Sequence, residues 1–360
     1  MKHLAQKICI WLISAILFIA TLECAVRIED WLKWNADFLS NYSSDNLRCS
    51  DQYGVHSRFN SSFEKWQINK FGFRGPDIEM AKPDGVQRVI CMGASETFGL
   101  YEQVDMEYAA QLRSMLYTKK PGRFQVINAA SLGTSIPKAT QHYGLWLSKF
   151  NPDLVLYYPS PAFYLDESPP EPAKLTSGSK AQNNRSQFRI KRKLEIVIKK
   201  QLPETVQLYM KLFIIAREVR KHNDGWVWNS PPSDRLELFR SDLISFVESV
   251  RKSGAKPVLM THAHRFRDNA LDSDWYQLIG WRKFYPRASE KCLIEMENAA
   301  NRIIREIGQI YHLPVIDLDK TVPKGAEYFA DFSHFTDAGA RVVADEMADV
   351  IMRYLLTSEF

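Results

Sequence analysis

The chain is poor in cysteine, with five residues in a total of 360. Their spacing matches neither a zinc motif nor a disulfide scaffold, so we predict no metal site and no disulfide-dependent fold. Cys9 and Cys24 belong to an apolar N-terminal segment, and Cys91 lies in a short apolar run. Cys49 and Cys292 are the two that can pair in an oxidising compartment, with two free thiols as the alternative.

A strong charge of one sign is also missing. The sequence has 47 Lys and Arg against 42 Asp and Glu, a formal net charge of +5. No cluster pattern marks a nucleic-acid-binding fold, so we expect no direct nucleic-acid partner. The hydrophobic fraction of 45% and the charged fraction of 25% are those of an ordinary globular chain. The length allows one large domain or two small ones.

Long hydrophobic runs are scarce, and the one that stands out is at the N-terminus. It extends from Ile8 to Leu22 and, after one glutamate, continues to Val26, with two lysines ahead of it. This approaches the ~20 residues that cross a bilayer, and no clean cleavage site follows. We therefore predict an uncleaved anchor over residues 1–27 in the inner (cytoplasmic) membrane. The lysines favour a cytoplasmic N-terminus and a periplasmic domain, which a cleaved signal peptide would also export.

Five short apolar segments separated by helical patterns predict a three-layer α/β fold with a parallel sheet. They span residues 89–92, 124–130, 152–158, 256–260 and 313–317. A proline-rich and then basic stretch, residues 165–235, interrupts this alternation and predicts a helical insertion. We expect residues 28–80 to form a stalk and lead-in, and residues 81–360 to form the α/β domain.

A serine follows the first of these strands. Gly93 ends the apolar run, Ser95 comes directly after it, and the apolar spacing beyond Gly99 predicts a helix. A side chain at the end of a central strand projects into the ligand crevice of an open α/β sheet. A strand–Gly-x-Ser–helix junction is a common way to expose a nucleophilic hydroxyl. Because Gly and Ser are also ordinary turn residues, the motif depends on a base elsewhere in the chain.

Such a base is present near the C-terminus. Asp331 and His334 lie just ahead of a helix predicted to begin near Thr336. An Asp three residues before a His on one turn can meet it on the same side. Its carboxylate can then hold the imidazole tautomer that takes a proton from a serine. Ser95, His334 and Asp331 are therefore candidates for a catalytic triad.

The two motifs together resemble the SGNH/GDSL hydrolase superfamily, in its membrane-anchored bacterial form. The resemblance covers roughly residues 66–356 and includes a lead-in at residues 69–75 that membrane-anchored members carry. It implies a flavodoxin-like three-layer α/β/α domain with a five-stranded parallel sheet. It also implies ester hydrolysis by Ser95, with His334 as the base that Asp331 orients, and no cofactor.

The resemblance extends to the groups that bind the oxyanion. Gly133 matches the glycine of the second block, whose N–H donates to the oxyanion together with that of Ser95. The third block normally carries an Asn, but here Ser160 stands between two prolines. Either Ser160 substitutes for it, or the two backbone groups act alone. Ala94 also replaces a common Asp. His264, one of two histidines after the fourth strand, is expected to line the substrate cleft rather than bind a metal.

The predicted function is a serine esterase that removes O-acyl groups, above all O-acetyl groups, from a cell-envelope or exported polysaccharide. An O-acetyltransferase using the same serine and a catalytically weak envelope component are the alternatives, and the oligomeric state is left open. The basic helical pattern near residues 190–200 indicates either a solvated cap or a contact for anionic lipid or acidic polysaccharide. Trp226 and Trp228 either pack in the core or stack on a sugar.

Overall fold

The computed structural model describes residues 2–175, 188–267 and 274–357. Within these ranges the strands are β1 Arg48–Asp51, β2 Gly54–Ser57, β3 Ser62–Phe63, β4 Trp66–Gln67, β5 Gln87–Gly93, β6 Phe124–Asn128, β7 Leu154–Tyr158, β8 Lys256–Met260 and β9 Val315–Ile316. The helices are α1 Lys2–Trp34, α2 Ser95–Phe98, α3 Tyr108–Lys119, α4 Ile136–Leu145, α5 Arg189–Gln201, α6 Glu204–Val219, α7 Ser233–Lys252, α8 Trp275–Arg282, α9 Glu290–Ile310, α10 Leu318–Thr321 and α11 Asp337–Thr357.

The last five strands form one parallel sheet in the order β6-β5-β7-β8-β9. Numbered from β5 along the chain, this is the order 2-1-3-4-5 of flavodoxin-like folds. The predicted five-stranded parallel sheet is therefore confirmed. Its last strand has 2 residues and is shorter than the predicted 313–317, although the Pro314 carbonyl just ahead of it still accepts from the Leu259 N–H at 3.1 Å.

Helices cover both faces of the sheet. One face packs on α4, α7 and α9 through a large apolar cluster, and the other packs on α3 and α11. The middle of β5 is fully buried, with Val89, Ile90 and Cys91 at 0% exposure. A strand covered on both sides is apolar at every position rather than at alternate ones, which explains the continuous run in the sequence. Ser95 follows this central strand.

Helix α1 is long and apolar enough to cross a membrane, by length and composition. It continues past residue 27, where the anchor was expected to end, and stops at Trp34. Its last turns bind the insertion: Glu23 accepts hydrogen bonds from the backbone N–H groups of Arg189 and Ile190 at the start of α5. Asp30, fully buried, pairs with three cations of that helix, Arg189, Arg192 and Lys193.

These contacts bear on the basic helix that the sequence predicts at residues 190–200. The helix is present as α5. Part of its positive charge is neutralised within the chain, by Asp30 and by the Arg192–Glu64 ion pair. Burying carboxylates such as Asp30 is favourable only where cations pair with them. The insertion is therefore attached to the C-terminal end of α1, and its cap or lipid-binding role stays a prediction.

The region expected to be a stalk packs on the α/β domain. It forms two small antiparallel hairpins, β1–β2 and β3–β4. The Trp66 indole N–H donates to the Gly99 carbonyl at 3.1 Å. Arg74, from the lead-in, pairs with Glu107 at 3.1 Å, and its guanidinium also donates to the carbonyls at the end of α2. The lead-in thus fixes the far end of the helix that begins at Ser95.

All five cysteines are unpaired. Cys292 is fully buried in α9, whereas Cys49 lies half-buried on β1. Of the two alternatives for Cys49 and Cys292, the structure has the free thiols.

Candidate active site

The turn between β5 and α2 presents Ser95 at the carboxyl edge of the sheet. Gly93 is required there, since a Cβ atom at this residue would lie 2.0 Å from Thr97 Oγ1 and 2.8 Å from the Tyr158 carbonyl oxygen. The short helix ends at Gly99, whose φ of +83° favours glycine. Ser95 is half-buried, so its hydroxyl is held by the scaffold and still reachable.

The structure brings Ser95, His334 and Asp331 together. Ser95 Oγ lies 2.8 Å from His334 Nε2. His334 Nδ1 lies 2.9 Å from each carboxylate oxygen of Asp331. The three groups are thus within hydrogen-bond reach in the order nucleophile, base and orienting carboxylate.

The Asp-x-x-His turn is held by its own backbone. Asp331 Oδ1 accepts hydrogen bonds from the N–H groups of Ser333 and His334, both at 3.0 Å. An Asp side chain that accepts from N–H groups two residues further on is a common turn former. The same carboxylate therefore shapes the turn and orients the imidazole that the turn carries.

Neighbouring charges set the ionisation of this pair. Burial favours the neutral form of His334, but its hydrogen bond to Asp331 and the negative charges of Glu96, Asp331 and Glu102 raise its pKa above the usual 6.5. Burial also opposes the charge on Asp331. The hydrogen bonds that Asp331 accepts from His334, and the nearby positive charge of that imidazole, nevertheless lower the pKa of Asp331. Asp331 is therefore an anion at neutral pH, and His334 is a stronger base than a free histidine.

A second carboxylate, which belongs to none of the motifs in the sequence, lies against Ser95. Glu96 is buried, and its Oε2 lies 3.4 Å from the hydroxyls of both Ser95 and Ser160. Ser333 donates to Oε1 at 3.1 Å. His262 Nε2 is 3.7 Å from the same oxygen. The acidic residue directly after the candidate nucleophile was the available sequence signal.

Helix α9 holds His262 in place. Glu297 lies 2.7 Å from His262 Nδ1 and is fully buried. Asn301, one turn later, accepts from the His262 backbone N–H at 2.7 Å and donates to its carbonyl at 2.9 Å. Burial favours a neutral His262, but the charges of Glu297 and Glu96 outweigh it and raise the pKa of the imidazole to about 10. His262 is thus a buried cation between two carboxylates.

The other predicted site residues are Gly133, Ser160 and His264, and not all of them lie beside the triad. Gly133 is exposed in the loop after β6, and the Ser131 N–H of the same loop bonds to the Gly93 carbonyl at 3.3 Å. This places the loop beside the Ser95 turn. Ser160 is buried and directs its hydroxyl to Glu96. His264 borders a surface cavity on the side of Phe266 and Arg267 that no triad residue lines; it is His262 that reaches the triad's neighbourhood.

Because the Ser160 hydroxyl donates to Glu96, it is not directed at a substrate oxyanion. We expect Ser160→Ala to change kcat for a p-nitrophenyl ester less than about threefold, whereas loss of a true oxyanion donor costs about 10²-fold or more. The measurement is steady-state hydrolysis by the full-length chain in detergent. A hundredfold fall in kcat at unchanged KM would instead assign Ser160 to the oxyanion hole.

One cluster of the described residues has the donor types of a metal site. Cys49, Asp51 and His56 place ligand atoms within 4.8 Å of one another on the β1–β2 hairpin. Both His56 ring nitrogens already have protein partners, the Ser57 carbonyl at 2.8 Å and Asp51 at 3.1 Å. Burial raises the pKa of the Cys49 thiol to about 11, which opposes the thiolate that a metal needs. The donor set is therefore explained as a satisfied polar cluster.

Comparison with solved structures finds distant likeness to lipases and esterases. A lipase/acylhydrolase from Enterococcus faecalis is 14% identical, with 74% of this chain and 95% of that one covered and a TM-score of 0.43. The acetyl xylan esterase AlAXEase is 16% identical, with 73% and 99% covered and a TM-score of 0.42. A GDSL-like lipase from Bacteroides thetaiotaomicron is 11% identical, with 74% and 89% covered and a TM-score of 0.38.

No protein-family model matches the sequence. No curated protein matches it either. Likeness at the level of these structures leaves the function to be argued from the site itself.

Proposed function

We propose that this chain is a serine ester hydrolase of the SGNH/GDSL type. The observation that carries the proposal is the unbroken line of hydrogen bonds from Ser95 Oγ to His334 Nε2 and from His334 Nδ1 to Asp331. Three groups of these types, in this order and at these distances, are what nucleophilic attack by a serine requires. No step of the reaction needs a metal or an organic cofactor.

The proposed reaction has two halves. His334 takes the Ser95 proton as Oγ attacks the ester carbonyl, and Asp331 stabilises the imidazolium that forms. His334 then gives the proton to the leaving alcohol, which leaves an acyl group on Ser95. In the second half, His334 deprotonates a water that attacks this acyl group, and it then gives that proton to Ser95 Oγ as the acid is released. The N–H groups of Ser95 and Gly133 are the proposed oxyanion donors.

We further propose that the ester is an O-acyl group on an exported or envelope polysaccharide. A cavity of about 640 Å³ lies next to Gly133 and is lined by Arg48, Arg58 and Lys174, against one acidic residue, Asp45. A cationic lining attracts an acidic glycan more than a neutral one. Trp226 is stacked on His222 and Trp228 on Arg287, so one face of each ring already has a partner within the chain.

Mass spectrometry of candidate glycans tests the function. The full-length chain in detergent is incubated with O-acetylated polysaccharides, acidic and neutral, and with the Ser95→Ala variant as the blank. The proposal expects the acidic glycan to lose acetyl groups only with the wild-type chain. Acetyl groups that move to a second glycan instead of to water would make the protein an acetyltransferase. A glycan unchanged by both proteins contradicts the proposed substrate.

The apolar helix α1 is a possible membrane span, and we propose that the domain beyond it is periplasmic. Cysteines introduced on exposed residues after residue 50 are expected to react with a membrane-impermeant maleimide in intact spheroplasts. A cysteine introduced near Lys2 is the matched control and should react only after lysis. The opposite pattern would place the domain in the cytoplasm.

A further inference from the structure

The Ser95 hydroxyl has one proton and two acceptors within reach. His334 Nε2 is at 2.8 Å and Glu96 Oε2 at 3.4 Å. When His334 is neutral, its lone pair at Nε2 takes the hydrogen bond, which is the arrangement that leads to attack. When His334 is protonated, Nε2 carries its own hydrogen and donates it to Ser95 Oγ. The serine hydrogen must then point elsewhere, and Glu96 is the acceptor beside it.

The carboxylate is built to remain charged in this role. A buried carboxylate is stable only with partners, and Glu96 has the His262 cation and the hydroxyls of Ser160 and Ser333. The hydrogen bond and charge of His262, together with the charge of His334, outweigh burial and lower the pKa of Glu96 to about 2. Its Oε2 therefore stays an acceptor over the whole range in which His334 titrates.

We propose that Glu96 is a positioning residue of the triad, which accepts the Ser95 hydroxyl hydrogen whenever His334 is protonated and so stabilises the idle form of the site. The inference rests on the proposed esterase function, since it concerns the base of the same triad. Glu96 contacts Ser95 while the site is idle and takes no part in the bond changes of the reaction. Because this contact stabilises protonated His334, it raises the pH above which His334 is neutral and the enzyme is active.

Several other titratable groups surround His334 and Glu96. Those that face His334 are Asp331, Glu102, Tyr101 and Glu96. Those that face Glu96, besides the two histidines, are three buried tyrosines, Tyr108, Tyr158 and Tyr285, whose pKa values burial raises far above neutrality. Glu102 is buried, which raises its pKa to about 7, so it is only partly charged near neutral pH. Glu96 is thus the fully charged carboxylate that is linked to His334 by hydrogen bonds through the Ser95 hydroxyl.

Glu96→Gln tests the inference. The amide keeps the shape of the carboxylate but removes its charge, and protonated His334 loses stabilisation. Removing a nearby opposite charge lowers a histidine pKa by about one unit. Since His334 acts as a base only when neutral, the acid limb of kcat/KM for p-nitrophenyl acetate should move to lower pH by about one unit. Glu96→Asp keeps the charge and should restore most of the wild-type profile. Asp337→Asn, which removes a carboxylate that does not contact the imidazole, is the matched control and should move the limb little.

A second readout needs no turnover. The full-length chain with labelled histidines, eight in all, is titrated by NMR in detergent to obtain the His334 pKa directly. Glu96→Gln should lower it, and Ser95→Ala, which removes the link between the two residues, should lower it as well. In the double variant the two effects should not add, because they act through one contact. The Ser95→Ala titration also serves if Glu96→Gln fails to fold.

The outcomes separate the inference from the proposed function. An unchanged His334 pKa in both variants overturns the role of Glu96 while leaving the triad intact. A wild-type chain that hydrolyses no ester, with the NMR shifts present, overturns the esterase proposal alone. Additive shifts in the double variant would show that Glu96 acts through space and not through the Ser95 hydroxyl, which also overturns the inference.

Discussion

Ser95→Ala is expected to lower the hydrolysis of p-nitrophenyl acetate by about 10³-fold or more. The variant lacks the oxygen that attacks the carbonyl, and no other hydroxyl among the described residues contacts His334 Nε2. The fold should survive, because the side chain is half-buried and loses one hydroxyl. The measurement is initial rate under saturating ester, with a thermal melt of each protein beside it.

Ser160→Ala is the matched control for this change. It removes a buried hydroxyl that contacts the same Glu96 oxygen at the same 3.4 Å distance. A loss in Ser160→Ala equal to that in Ser95→Ala would exceed the ~10²-fold of one oxyanion donor, and it would mean that the carboxylate environment, and not the Ser95 nucleophile, had been disturbed. Full activity in Ser95→Ala would exclude Ser95 and leave a binding protein or an enzyme with another nucleophile.

The sequence predicts the sheet well because helices bury its strands on both faces. Residues 256–260 were predicted as a strand and form β8 with the same bounds. Burial on both faces makes such segments uniformly apolar, and that signal is local. Gly93 shows the limit of this local signal, since a Cβ there would meet Thr97 of its own turn and also the Tyr158 carbonyl of β7.

The candidate triad was also predictable, because each half of it is a short motif. Ser95 follows a strand, and Asp331 and His334 share one turn. What the sequence predicted less well is the packing between distant segments. Residues 28–80 were expected to include a stalk, yet Arg74 reaches across to Glu107 and the end of α2. No periodicity reveals a contact of that kind.

Glu96 and His262 illustrate the same limit within the site. Neither belongs to a spacing pattern. Their role depends on the tertiary contact by which Glu297 of α9 lies against His262. The sequence places both His262 and His264 after the same strand, and it offers no signal to decide which of the two lines the cleft. Two residues that are two apart face the same side of an extended strand, but residues 261–264 lie beyond the end of β8 at Met260, where the contact with Asn301 of α9 fixes the direction of His262. The structure directs His262 to Glu96 and His264 to the outer cavity.

Asp331→Asn is expected to lower kcat by roughly 10³- to 10⁴-fold with little change in stability. The backbone N–H groups of Ser333 and His334 both donate to Oδ1, so the amide oxygen should keep that position. The amide N–H₂ then replaces Oδ2 and faces His334 Nδ1 as a donor. That arrangement favours the tautomer with hydrogen on Nε2, which cannot accept the Ser95 proton.

Asp337→Asn is the control for this substitution. Asp337 begins α11, three residues beyond His334, and accepts from the Gln103 N–H at 2.8 Å without contacting the imidazole. Its variant should hydrolyse p-nitrophenyl acetate within about threefold of the wild type, because a side chain that does not contact the reacting groups contributes little to transition-state binding. The His334 NMR signals decide the mechanism: Asp331→Asn should shift the hydrogen from Nδ1 to Nε2. A large loss of kcat with the hydrogen still on Nδ1 would mean that Asp331 acts by its charge alone. A kcat near that of the wild type would remove Asp331 from the site and leave His334 to be oriented by its turn.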